Sequence, residues 1–154
     1  MNDDLQLRQR MVSEQIERRG VNSIRVLQAM RSVRRHVFVP PDQQAYAYAD
    51  CPLAIGFGQT ISQPYIVALI SELAEVSPQD VVLEIGTGSG YQAAVLGQLA
   101  RQVHSVERYP ELAERAARAL AGEKIANVSL HVEDGSLGWP EAAPNQAIMV
   151  TAAA

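Results

Sequence analysis

Cysteine is nearly missing from this chain: Cys51 stands alone among 154 residues. No internal disulfide can form, and packing is a more natural role for it than nucleophilic attack. Three histidines are scattered along the sequence and make no metal-ligand cluster, so no metal site is expected. Basic residues are not in excess. The net charge of -4 gives no electrostatic footprint for nucleic acid. No apolar run approaches the length of a membrane span, and Met1 to Arg10 is polar, unlike a signal peptide. No membrane contact is expected, and a cytoplasmic location follows by default. Internal repeats are absent too, and the only biased stretch is alanine-rich, near 113–121. The remaining composition, 47% hydrophobic and 19% charged, is that of an ordinary globular chain with the length of one domain.

What is present centres on Val81-Val82-Leu83-Glu84-Ile85-Gly86-Thr87-Gly88-Ser89-Gly90-Tyr91. Val81 to Ile85 is short, rich in β-branched residues and bounded by turn residues, which predicts a buried parallel strand. Gly86, Gly88 and Gly90 let the backbone turn sharply and come close to a ligand. Gln92 to Leu96 is helix material. Strand, glycine loop and helix open a nucleotide-binding βα unit. A dinucleotide fingerprint needs its third glycine at 91, where Tyr91 stands, and this disfavours a nicotinamide-dependent oxidoreductase. The spacing Glu-x-Gly-x-Gly-x-Gly resembles instead the first motif of class I methyltransferases that use S-adenosyl-L-methionine. A glycine turn in some other α/β domain is the alternative, and the glycines alone do not separate the two. Glu84 would suit the ammonium group of such a cofactor, with Thr87 and Ser89 in the same loop. Glu107 ends the next short strand, 21 positions after Gly86. A carboxylate there can accept hydrogen bonds from both ribose hydroxyls. As a plain surface residue it would be a glutamate stabilised by a helix dipole. Together with the glycines, the ribose reading is the stronger one.

The rest of the chain supplies the frame. Asp3 and Asp4 cap a predicted helix from Leu5 to Arg19, ended by Gly20, with Leu5, Val12 and Ile16 on its apolar face. A second helix, near Ser23 to Arg31, buries Val26, Leu27 and Met30. Arg31, Arg34, Arg35 and His36 read as a solvated basic face. Pro40 and Pro41 break the chain, and Asp42 to Ser62 shows little periodicity. A loop of that length inside a compact domain is usually functional, and Tyr46, Tyr48 and Phe57 give it material to pack or to cover a ligand. Pro64 fits the first turn of a helix with Ile66, Leu69, Ile70 and Leu73 as its buried stripe, which makes Ser62 a natural N-cap. Pro110 starts a helix carrying Leu112, Ala116 and Leu120 inward as far as Gly122. Val128 to Val132 is a third strand, and Asp134-Gly135 follows it. Ligands of a doubly wound sheet bind outside the carboxyl ends of the strands, so Asp134 is placed to reach an adenine edge; an ordinary Asp-Gly turn is the alternative. Ala147 to Val150 is a fourth strand.

Several stretches match one family together. Leu53-Ala54-Ile55-Gly56-Phe57-Gly58-Gln59-Thr60-Ile61-Ser62-Gln63-Pro64-Tyr65 resembles the signature loop of the protein-L-isoaspartate O-methyltransferases. Val82 to Gln92 is similar to that family's cofactor motif. Val103-His104-Ser105-Val106-Glu107-Arg108 and Ile148-Met149-Val150-Thr151-Ala152-Ala153 are similar to later segments. The Gly-Gln-Thr-Ile-Ser-Gln-Pro loop is the most specific of these. The chain departs from the family where Asn145-Gln146 replaces an aromatic-Asp pair and where Glu133 precedes Asp134-Gly135 in place of glycine. Family members also continue past the equivalent of Ala154.

The resemblance implies a Rossmann-like class I methyltransferase fold, here with the first four strands in the order 3-2-1-4. Residues 1–62 would form N-terminal helices and the substrate loop, and 63–154 the cofactor-binding βα units of a single domain. It implies methyl transfer from S-adenosyl-L-methionine to the free carboxylate of L-isoaspartyl residues in damaged proteins. Ser62 takes the catalytic position, with Thr60 beside it. Glu84, Gly86, Thr87, Gly88, Ser89, Gly90, Glu107, Asp134 and Gly135 hold the cofactor. Another acceptor, or a short cofactor-binding module with little activity, is the alternative. The fourth strand, lacking proline and charge, is expected to expose its edge and an apolar face, to drive self-association, and to be blunted by a lysine at Met149.

Overall fold

The computed structural model describes residues 3–136 and 138–151. Its frame is a four-stranded parallel sheet built from β3 (Val81–Ile85), β4 (Gln102–Glu107), β5 (Val128–Val132) and β6 (Ala147–Val150). The order is β5-β4-β3-β6, the expected 3-2-1-4. The chain therefore leaves β3 in one direction for β4 and β5 and returns to its other side for β6. That reversal lies beside β3 and sets the crevice at the carboxyl ends of the strands. Ala152 and Ala153, part of the last family-like segment, lie outside the described residues.

Register fixes which side chains face inward. Val82 sits opposite Val103 and Ala147, and Glu84 opposite Ser105 and Met149. Val82, Val103 and Met149 join one core with Leu96 of α4 (Tyr91–Gly97) and with Leu112 and Leu120 of α5 (Pro110–Gly122). The same core takes Val12, Ile16, Met30 and Phe38 from the N-terminal segment. The other sheet face carries Leu83, Ile85 and Ile148, met by Trp139, Pro140 and Asn145 from the stretch after β5. Met149 is buried and faces the core, whereas Ile148 and Val150 are 65% and 63% exposed. The exposed apolar residues of the edge strand are thus its outer pair, and Met149 is not among them.

The N-terminal segment departs from expectation in three ways. The first helix is α-helical only as α1 (Asp3–Arg10); it widens to a π-helical stretch at Met11–Ile16 and tightens at Glu17–Arg19 before Gly20 turns at φ 100°. Met11, Val12 and Ile16 are buried, but Leu5 is exposed. Arg8 takes the inward place instead, its Nε donating to Arg31 O at 2.6 Å. Second, Arg35 is not on a solvated face: it is fully buried. Arg34 does remain outside, paired with Glu123. α2 (Ile24–Ser32) follows expectation, capped by Ser23 and burying Val26, Leu27 and Met30. Third, residues 42–62 are not an irregular loop. A short 3-10 turn (Pro41–Tyr46) leads to an antiparallel hairpin, β1 (Leu53–Gly56) with β2 (Gln59–Ile61). Phe57 and Gly58, at φ 56° and 68°, make the two-residue turn that suits paired strands.

α3 (Pro64–Leu73) starts at its proline, but its cap is Gln63, with no side-chain bond. Ser62 is not the N-cap. The buried face is Pro64, Val67, Ala68 and Ser71, and Leu73 is 71% exposed. This helix is apolar nearly all round, so neighbours chose the face. The small Ala68 and Ser71 allow close approach to α4, where Gln92 Nε2 donates to Ser71 Oγ at 2.9 Å.

Candidate active site

The glycine loop between β3 and α4 is the centre of the site. Gly86, Gly88 and Gly90 all have positive φ, at 99°, 54° and 90°. Gly86 N–H donates to Val106 O at 2.8 Å, which ties the loop to the end of β4. Gly90 does not face a cavity. A Cβ there would stand 3.0 Å from that of Ala116, so this glycine lets α4 and α5 approach.

Two cavities meet at Gly86. The larger, about 220 Å³, is lined by Thr60, Ser62, Glu84, Thr87, Gly88 and Ser89, closed by Ile66 and Ile70 of α3, by Val150 at the end of β6 and by Thr151 after it. The hairpin positions Thr60 and Ser62; the end of β3 positions Glu84. The Ser62 hydroxyl makes no hydrogen bond with any described residue, so it is free to serve a ligand. The smaller cavity, about 70 Å³, joins Gln59, Glu107, Tyr109 and Asp134 at the ends of β4 and β5. Gly135 lies apart from both, beside Ile85 and Trp139.

Each acid of the site has a distinct environment. Glu84 is fully buried, with Ser105 Oγ donating to its Oε1 at 2.6 Å and Thr151 Oγ1 a weaker 3.4 Å from Oε2. Loss of water raises its pKa to about 8, against the pull of those hydroxyls. Thr87 Oγ1 lies 2.6 Å from Ser105 Oγ and so extends the chain of hydroxyls to the loop. Glu107 accepts from Gly88 N–H at 2.8 Å and Tyr109 N–H at 2.9 Å, one bond on each oxygen. An ionised carboxylate has about four acceptor positions, so two remain for ribose hydroxyls. Asp134 is exposed, and Ser136 donates to it from both its backbone N–H and its hydroxyl, which lowers its pKa. That is the geometry of an ordinary Asp-Gly turn, although Asp134 also lines the smaller cavity.

Some site residues had been given no role of their own from the sequence. Thr151 lines the larger cavity and donates to Gly86 O at 2.6 Å. Its position just beyond the fourth strand was a usable signal, by the same rule that placed Glu107 and Asp134. Ser105 supports Glu84 from mid-strand, and only register reveals it. Phe57, expected to pack or to cover a ligand, sets its ring centroid 5.1 Å from that of Tyr109, a residue of the smaller cavity that spacing did not point to.

A parallel sheet in this order, with a glycine loop after β3 and an acid ending β4, defines a Rossmann-like domain of the class I methyltransferase type. The chain belongs to the protein-L-isoaspartate(D-aspartate) O-methyltransferase family, whose model matches residues 6–154. A protein-L-isoaspartate O-methyltransferase of Synechococcus sp. (strain JA-2-3B'a(2-13)) is 58% identical over 146 residues, covering 95% of this chain and 60% of the relative. One from Geobacter metallireducens is 54% identical over 154 residues, covering all of this chain and 71% of the relative. A solved protein-L-isoaspartate O-methyltransferase superposes with a TM-score of 0.82 at 32% identity, over 94% of this chain and 47% of that one. The chain therefore spans about 60% of the Synechococcus relative it matches.

Proposed function

We propose that this chain carries the site for methyl transfer from S-adenosyl-L-methionine to the free carboxylate of L-isoaspartyl residues in damaged proteins. One observation supports the reading most. A single cavity brings Thr60 and Ser62 of the family's signature loop against Glu84 and the glycine loop. Glu84, Gly86, Thr87, Gly88 and Ser89 suit the amino-acid end of the cofactor, and Glu107 with Asp134 suits the nucleoside end. Gly90 and Gly135 serve by close packing. S-adenosyl-L-methionine, when bound, would supply a sulfonium methyl group that a carboxylate oxygen can take, the C–O bond forming as the C–S bond breaks and S-adenosylhomocysteine leaves. The acceptor carboxylate is already ionised at neutral pH, so a general base has little to contribute. Orientation is what the protein must provide. The unbonded Ser62 hydroxyl, with Thr60 next to it, donates a hydrogen bond that holds the carboxylate in line. Ser62 is a positioning donor here, and no competing cap bond draws it away.

The test is methyl incorporation from labelled cofactor into matched isoaspartyl and aspartyl peptides. Transfer to the isoaspartyl peptide alone is expected, with Ser62→Ala lowering the rate about tenfold or more, the scale of one lost charge-assisted bond. The affinity for S-adenosylhomocysteine should be unchanged in that variant. Equal transfer to both peptides, or an unaltered rate in Ser62→Ala, would refute the assignment. A second reading is binding without turnover, which would show as affinity for S-adenosylhomocysteine with no transfer to either peptide. We place the activity in the cytoplasm, where a lone half-buried thiol stays reduced. Its macromolecular partners would be isoaspartyl-containing proteins and, through the open edge of β6, a second copy of this chain.

A further inference from the structure

Arg35 is the largest fully buried side chain in the structure. Among the described residues no carboxylate pairs with it. Its Nε donates to Ala47 O at 2.6 Å, and neither Nη1 nor Nη2 has a hydrogen-bond partner among the described residues. Burial pulls its pKa below the usual arginine value. A buried cation left half-satisfied calls for an explanation. Its guanidinium carbon stands 4.9 Å from the ring centroid of Tyr91, also fully buried, so this tyrosine, through its ring and its hydroxyl, is its main compensation.

Tyr91 is where the chain leaves the glycine loop. Its N–H donates to Ser89 Oγ at 3.1 Å, and its hydroxyl meets Met30 Sδ at 3.8 Å. Phe38 packs against the same ring, with centroids 5.9 Å apart. The N-terminal segment thus grips Tyr91 through Met30, Arg35 and Phe38. The loop itself has few side chains with which to anchor its shape. Glu107 holds it in the middle, at Gly88 N–H. Tyr91 holds its far end.

We infer that Arg35 is a positioning residue for the cofactor site: its contact with Tyr91 fixes the end of the Gly86–Gly90 loop and thereby sets cofactor affinity. The inference rests on the cofactor-binding reading above. It assigns the N-terminal helical segment a part in cofactor binding besides its part in the core. The charge matters as well as the bulk, because an apolar side chain of similar length lacks the pull of a cation on the ring face.

Calorimetry with S-adenosylhomocysteine, at a temperature where every variant is folded, tests this. Arg35→Met should weaken binding about tenfold, and Arg35→Lys should recover most of the loss. The double variant Arg35→Met/Tyr91→Leu should bind no more weakly than the worse single variant, as expected of two residues acting as one unit. Hydrogen exchange at Gly88 and Ser89 should rise in Arg35→Met. Val12→Ala, a cavity-forming change in the same segment, should lower stability without these effects. If Arg35→Met lowers only the melting temperature, or if the two losses simply add, the arginine is structural and the inference falls. If Arg35→Met does not fold, Arg35→Gln and Tyr91→Leu decide: wild-type affinity in either overturns it. Failure of the wild-type chain to bind S-adenosylhomocysteine would strike the cofactor reading itself, a separate outcome.

Discussion

At the scale of single residues, the site is a contrast between two buried glutamates. Glu107 accepts from two backbone donors, while Glu84 has hydroxyl partners only and a pKa raised to about 8. The sign of the resulting pH dependence follows from linkage. Below the ordinary value of 4.5 Glu84 is protonated in both folded and unfolded chains, and its contribution to stability is fully present. Between 4.5 and about 8 the unfolded chain releases the proton and the folded chain keeps it, so stability falls with rising pH. The slope from this one group is at most about 1.4 kcal/mol per pH unit. Denaturation of the unliganded chain across that window should show the fall, and Glu84→Gln should flatten it. Identical slopes in the two proteins would mean that Glu84 is ionised throughout. Glu84, Glu107 and the glycines were legible from the sequence because spacing along a βα unit fixes them. Ser105 and Arg35 were not, since their partners Glu84 and Tyr91 lie 21 and 56 positions away.

At the scale of elements, close approach decides which glycines are irreplaceable. Gly135 has φ 82°, and a Cβ there would stand 2.8 Å from Ile85 Cγ2. Gly135→Ala therefore combines a left-handed backbone with a clash against β3. A loss of about 1–2 kcal/mol or more is expected in denaturant unfolding. Stability equal to wild type would show that the turn after β5 can move away freely. The hairpin of β1 and β2 illustrates what element-level reading misses. Its strands are four and three residues long, too short for a period to emerge, and Gly56 and Gly58 read as loop punctuation. The pairing of Leu53 with Ile61 across the turn creates the element. α3 illustrates the converse. Its existence was plain from Pro64 and its apolar content, but that content surrounds the helix, so composition did not single out Val67, Ala68 and Ser71.

At the largest scale, β6 is an edge strand of the sheet among the described residues. Among the described residues β6 pairs only with β3, and it presents Ile148 and Val150 outward with no charge or proline to deter pairing. Light scattering should detect oligomers of this chain whose proportion falls in Ile148→Lys and in Val150→Lys. A monomer at all concentrations would exclude the edge as a contact. Met149→Lys is no test of it, because that side chain enters the core and a lysine there would unfold the sheet. The sequence by itself determined the strands, the glycine loop and the acids at strand ends, because β-branched runs and positive-φ glycines act over short stretches of chain, while the strand order came with the resemblance to the family. The tertiary structure alone decided that Arg35 is inside, that Ser62 faces a cavity instead of capping α3, and that Met149 points in while its neighbours point out. Each of those outcomes depends on what stands opposite. Only the packing of distant segments supplies the ring of Tyr91, the glycine loop across from the hairpin, and the register of β6 on β3.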